Sequence, residues 1–279
     1  MEWSKIKNIV LMILLIVNGA LLASVASQEL ASARYQNQAR LGALAVLRDG
    51  GIKMDEDALP KEVGLRPRTA ERDQGAERQM AEVLLGTVEQ KDEGGRVSYR
   101  GEGGEGWFRS NGEFEFLFAD GTYPAKGEDP GRHGTELLRR AGMNCVLTDV
   151  TDTQEGEQRV TLCQTLDGVP IFSAEIVLTY GDGNLMSIKK QRLTGVPGMG
   201  KDTGGKPLDV ATVLVRFYGG IRSGGHVCSA VESLTAGYWV SVEPSGISAL
   251  APMWRVVTDA GTFYVNGMTG EVSPAGASH

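Results

Sequence analysis

Cysteine and histidine are both scarce, three of each in 279 residues, and their placement excludes more than their number does. Cys145, Cys163 and Cys228 form no CxxC pair and have no histidine at ligand spacing, so a structural zinc site lacks its donors. They read as small buried hydrophobes; outside the cytoplasm the alternative is one disulfide, Cys145 with Cys163, and one leftover thiol. No cysteine precedes position 145, which excludes a lipobox. His133, His226 and His279 have no second histidine within helical spacing, so neither a metal site nor a catalytic triad is supported. Basic charge is also short: 28 Lys and Arg against 35 Asp and Glu leave a net charge of −7. A polyanion-binding surface needs clustered cations to displace counterions, so nucleic acid is not an expected partner. Glycine, by contrast, is abundant at 38 residues, which favours turns and short strands over long helical bundles.

One long run without charge stands out. Ile9 to Ala26 contains no charged residue and is broken only by Asn18, Gly19 and Ser24. As a helix it would extend about 27 Å, close to the hydrocarbon thickness of a bilayer. Lys5 and Lys7 precede it and Trp3 lies at interfacial depth, which orients the N-terminus inward. The run predicts a cytoplasmic segment at 1–7, a transmembrane helix at 8–27 and the remainder outside the cell, with membrane lipid as a partner. Ser24-Val25-Ala26 also has the small residues that a signal peptidase prefers, but helical periodicity continues through Leu30, Arg34, Leu41, Leu44 and Leu47, which fits an uncleaved anchor better. Gly19, Ala23 and Ser27 recur every fourth residue with Asn18 beside them, so Asn18, Gly19, Ala23 and Ser27 form the candidate interface for a partner helix.

The rest of the chain divides into a juxtamembrane helix and connector at 28–66, an α+β region at 67–200 and a C-terminal α+β unit at 201–279. Three segments repeat one theme, a helix followed by a meander of short strands. The first helix is expected from Thr69 to Leu85, ending at Gly86, and is followed by strands over 97–99, 106–109 and 114–118, the last with alternating Phe114, Phe116 and Phe118. The second is expected from Gly134 to Ala141, with strands over 158–165, 171–180 and 185–193. Asp167-Gly168 and Asp182-Gly183 mark tight hairpins between them. The third carries Val210, Val213, Leu214, Phe217 and Tyr218 on one face, with Asp209 as its N-cap. Strands over 236–242, 253–258 and 262–266 follow it. The Gly- and Pro-rich stretch from Gly195 to Pro207 reads as a linker.

Motif matches to catalytic families fail on context. Gly101, Gly103 and Gly106 satisfy GxGxxG by letter, but Glu102 and Glu105 would repel a pyrophosphate and a strand follows rather than a helix. Ser187 and Lys190 match SxxK on a strand, where residues three apart point to opposite faces. No nucleophile and base can be paired, so no enzyme activity and no cofactor are expected.

The opening Met1-Glu2-Trp3-Ser4-Lys5-Ile6-Lys7, with Asn18 in the helix after it, resembles the N-terminus of the YycI family, relatives of YycH. Gly51-Ile52-Lys53-Met54 with Leu59-Pro60, Gly168-Val169-Pro170-Ile171, Pro252-Met253-Trp254, Tyr264-Val265-Asn266 and Gly270-Glu271-Val272 extend the resemblance over most of the chain. The last patterns also resemble PepSY-like domains. The resemblance implies an α+β fold: an N-terminal transmembrane helix followed by repeated helix-plus-antiparallel-sheet units. It also implies an extracytoplasmic regulator of a cell-wall two-component system, partnered by a sensor histidine kinase and a YycH-like membrane protein through helix association. The alternative is a PepSY-like binding or scaffold module tethered to the membrane.

Overall fold

The computed structural model describes residues 2–60, 64–153, 156–199, 205–242 and 247–276, without the side chains of residues 2, 4–6, 8–10, 23, 26, 28–33 and 199. In chain order the elements are α1 (Glu2–Asp49), β1 (Lys53–Met54), β2 (Arg68–Ala70), α2 (Gln74–Leu85), β3 (Glu89–Asp92), β4 (Arg96–Gly101), β5 (Gly104–Arg109) and β6 (Glu113–Phe118). Then come α3 (Pro130–Arg140), β7 (Cys145–Asp152), β8 (Gln158–Leu166), β9 (Val169–Gly181), β10 (Asn184–Gln191), β11 (Gly198–Met199), α4 (Val210–Ser223), β12 (Ala230–Val242), β13 (Ser248–Thr258), β14 (Gly261–Asn266) and β15 (Val272–Pro274).

Local chemistry sets many of these boundaries. Asp73, Asp129 and Asp209 cap α2, α3 and α4, each carboxylate accepting from the backbone N–H three residues on, at 2.7–2.9 Å. Pro130 occupies the first turn of α3, where its missing N–H leaves no bond unmade. The first helix therefore begins later than periodicity suggests, because residues 68–70 pair with β13 as strand β2 and Asp73 is the first capping side chain. Asp167 and Asp182 adopt φ of 52° and 50° with a positive-φ glycine after each, which closes the β8–β9 and β9–β10 hairpins.

The strands form one fifteen-stranded mixed sheet, with the path β11-β2-β13-β12-β9-β10-β6-β5-β4-β3. β7 joins through β8, β14 and β15 through β13, and β1 through β12. This corrects the expected fold, an N-terminal transmembrane helix followed by repeated helix-plus-antiparallel-sheet units. The reason lies in strand length. β9 and β13, 13 and 11 residues long, outrun β10 and β14, so their free ends bind β12 and β2, while the 13-residue β12 takes β1 and β9 along its second edge. Two of those pairings, β1 with β12 and β9 with β12, are parallel. Two cores result. One lies under α2 and α3 and is filled by Phe108, Phe114, Phe116, Leu137, Leu162 and Leu178. The other lies under the C-terminal end of α1 and α4, filled by Leu47, Leu214, Phe217, Leu234, Val256 and Val265. The soft boundary near 200 falls outside the described residues.

The apolar N-terminal stretch is helical, but it is the start of a 48-residue helix that runs unbroken to Asp49. Among the described residues, no helix is long and apolar enough to cross a membrane. The expected transmembrane helix at 8–27 and the single-pass placement in a cell membrane are corrected accordingly. The continued periodicity past residue 27 has a different cause: Ala43, Leu44 and Leu47 are buried against α4.

Candidate binding face

Strand alternation gives the β3–β10 part of the sheet two unlike faces. Side chains facing α2 and α3 are apolar and buried; those on the other face are mostly charged or polar, with Leu117 and one aromatic among them. That aromatic is Trp107, opposite Ser98 on β4 and Glu115 on β6. The guanidinium carbons of Arg96 and Arg109 lie 4.9 and 5.0 Å from its ring centroid. Arg96 and Arg109 are themselves direct cross-strand partners, a pairing of like charges that destabilises a sheet unless something intervenes. Both guanidinium groups contact the indole, each cation–π contact contributing about 0.5–1 kcal/mol at a partly exposed site. Arg96 Nε is buried and has no hydrogen-bond partner among the described residues.

Ion pairs fix the charges around the indole. Arg109 bonds Glu113 at 2.8 Å, Arg100 bonds Glu105 at 2.9 Å and Lys91 bonds Glu93 at 2.8 Å. The hydrogen bond from Arg109 holds the Glu113 carboxyl below its usual range, and that from Lys91 does the same for Glu93. Lys190 has φ of 120°, a backbone conformation L-residues adopt only under strain. Its register position, between the buried Phe114 and Ile176, belongs to the core face. The positive φ carries the ammonium to the charged face instead, where it pairs with Glu175. The match of Ser187 and Lys190 to SxxK thus has a partner other than the serine. Two concavities flank Trp107. One, of about 560 Å³, is lined by Lys91, Arg96, Ser98 and Glu115 among others; the second, of about 620 Å³, adds Arg159, Lys189 and Lys190.

The residues singled out from sequence lie elsewhere. Asn18 donates to the carbonyl of Leu14 at 2.8 Å and Ser27 to that of Ser24, bonds made within α1 itself. A Cβ on Gly19 would meet nothing within 4 Å, and the side chain of Ala23 is outside the described residues. No described contact brings these four against another element. Cys145, Cys163 and Cys228 are free thiols. Cys145 faces Gln164 while Cys163 faces Val146, which puts the two sulfurs on opposite faces of one hairpin. The glycines of the GxGxxG match serve packing: a Cβ on Gly101 would lie 2.5 Å from the carbonyl of Leu85, and one on Gly106 would lie 2.3 Å from the Phe116 ring. Among the described residues, no group of three His, Cys, Asp or Glu could hold a metal. Sequence reading missed Trp107, Arg96 and Lys190. The alternation Glu105-Trp107-Arg109, opposite the apolar Phe108, was the available signal.

No protein-family model matches the chain, and no curated protein matches it. Among solved structures, an uncharacterized protein from Eubacterium rectale ATCC 33656 is similar over 80% of this chain and 89% of its own, at 10% identity and a TM-score of 0.43. The C-terminal domain of Bacillus megaterium YpeB is similar over 74% of this chain and 98% of its own, at 12% identity and a TM-score of 0.38. Neither likeness assigns a function. The resemblance to YycI has no family match behind it, and two-component regulation finds no support in any relative.

Proposed function

We propose that this chain is a non-catalytic binding or scaffold module that engages a protein partner through the charged face centred on Trp107. The observation that carries this reading is the Arg96–Trp107–Arg109 stack between two concavities, ringed by ion pairs and by a strained Lys190. Tryptophan and arginine dominate the energetic centres of protein interfaces, and strain of the kind seen at Lys190 collects at binding sites. Charge favours a protein over a polyanion, because Glu105, Glu113, Glu115 and Glu175 alternate with the cations on this face. A neutral polymer would stack on an open indole, whereas guanidinium groups already flank this one. Modulation of a sensor histidine kinase, which the resemblance to YycI implies, gains no supporting residue and is not carried further.

The test is site-specific photo-crosslinking in cells. A photoreactive residue at Ser98 or Lys189 should capture one protein, identified by mass spectrometry, and Trp107→Ala should abolish the adduct. The same probe at Arg78, exposed on α2 across the sheet, should capture nothing. Equal capture from both faces, or indifference to Trp107→Ala, overturns the proposal.

A further inference from the structure

The sheet's free edges are not alike. β3 is short, wholly exposed and charged through Glu89, Lys91 and Asp92; β15 is three residues ending in Pro274; β1 and β11 are two residues each. Short length, charge and proline are the devices by which natural sheets block edge pairing. β7 has eight residues, pairs only with β8 among the described residues, and carries Val146, Leu147 and Val150 at 48%, 50% and 44% exposure. Among the described residues it is the long edge left open.

From these features we infer that β7 is the interface through which two copies of this chain pair, antiparallel about a twofold axis. The bulge in β7 carries the argument. Register with β8 runs Cys145↔Gln164, Val146↔Cys163 and Leu147↔Leu162, then shifts so that Asp149↔Thr161, Val150↔Val160 and Thr151↔Arg159. Leu162 and Val160 are fully buried under α3, so Leu147 and Val150 lie on the helix side of the sheet. Val146, Asp149 and Thr151 lie on the other side. An extra residue at Thr148 therefore breaks the two-residue alternation in the middle of the strand. A partner with regular alternation would match one half of β7 and mismatch the other. A second copy of β7, centred between Thr148 and Asp149, matches both: Leu147 meets Val150, Val146 meets Thr151, and Cys145 meets Asp152, each pair on one side of the sheet. Asp149 then faces Thr148, so no like charges oppose. Shifting this register by one residue puts Leu147 against Asp149 or Thr151, side against side. An isologous pairing of this kind closes as a dimer and leaves no further edge to propagate.

Sedimentation velocity on the full chain from about 1 to about 200 µM should show a monomer–dimer equilibrium, the range expected for an interface below standard size. Val150→Lys should raise the dissociation constant about tenfold or more while circular dichroism and melting stay unchanged. Mixing Val150→Lys with Leu147→Glu should restore a one-to-one heterodimer by native mass spectrometry, because the introduced ammonium and carboxylate face each other across the dyad. A chain that stays monomeric throughout overturns the inference. So does a dimer whose dissociation constant Val150→Lys leaves alone, the result expected if the exposed apolar residues of α1 drove association. Should Leu147→Glu fail to fold, the wild-type and Val150→Lys arms still decide.

Discussion

The two faces of the β4–β5–β6 ribbon are built from alternate residues of the same strands, yet their energetics run in opposite directions. On the helix side, Tyr99, Phe108, Phe114 and Phe116 are essentially fully buried, with ring centroids 5.3–6.3 Å apart from their neighbours. On the other side, Arg96, Trp107, Arg109 and Glu113 sit at the surface, held by cation–π contacts and exposed ion pairs. Exposed pairs contribute about 0–1 kcal/mol each, whereas truncating a buried aromatic costs about 3–5 kcal/mol. One face therefore fixes the fold, and the other is free to be shaped for a partner.

The comparison breaks most sharply at the one place where charge enters the core face. Glu77 is fully buried on α2; it accepts a bidentate pair from Arg72 at 2.9 and 3.0 Å and a further bond from Arg192 at 2.6 Å. Arg192 also lies 4.6 Å over the Phe108 ring, and its burial lowers the guanidinium's affinity for its proton. Removing one partner strands buried charge. Glu77→Ala should destabilise the chain by about 3–5 kcal/mol in urea unfolding, the largest effect expected of any charge substitution here. A loss below about 1 kcal/mol would mean that the triad is hydrated like the surface pairs, and the contrast between faces would fail.

A smaller effect should come from His133, at the border of the core face. Its Nδ1 lies 2.9 Å from the Tyr180 hydroxyl, which donates to the carbonyl of Pro130 at 3.2 Å. The hydroxyl must then accept, so the neutral ring carries its proton on Nδ1. Burial pushes the His133 pKa below the usual 6.5, a tendency that Glu128 opposes. A depressed pKa means that the unfolded chain takes up this proton first. His133 thus contributes stability above about pH 6.5 that is lost as pH falls through its folded pKa. His133→Gln should flatten the acid side of the Tm–pH profile in that window; parallel wild-type and variant profiles would remove His133 as the cause.

Much of this arrangement was legible where local chemistry decides. Asp209 as a cap, the Val210–Phe217 helical face, the alternating phenylalanines and the Asp-Gly hairpins each follow from a few adjacent residues. β3 was not legible, because Glu89-Gln90-Lys91-Asp92 has no apolar alternation, and neither was β7, whose alternation the bulge at Thr148 interrupts. The continuity of the sheet was hidden for another reason. Ile171 meets Tyr238 in a parallel pairing that no hairpin spacing announces. The uncharged stretch from Ile9 misled by another route: its composition suggested a membrane span, whereas no helix among the described residues is long and apolar enough to cross one, and the continuous helix that periodicity announced ends in a segment packed on α4. Trp107 could be seen, but its two arginine neighbours come from different strands, and only the register unites them.

The smallest effect on stability, and the sharpest test of the two-face contrast, belongs to Trp107. If its face is shaped for recognition, Trp107→Ala should lower stability only slightly, by about 1–2 kcal/mol, the sum of two partly exposed cation–π contacts. The variant also leaves Arg96 and Arg109 opposite each other without the ring that both contact, which adds a like-charge term that salt screens. The deficit should therefore shrink between about 0.05 and about 1 M salt, while that of Glu77→Ala, buried away from solvent ions, should persist. A double-mutant cycle of Trp107→Ala with Arg96→Ala should give a coupling of about 0.5–1 kcal/mol. A deficit of 3 kcal/mol or more, insensitive to salt, would instead make the indole part of the core, and the face around it would lose its claim to be a surface kept for a partner.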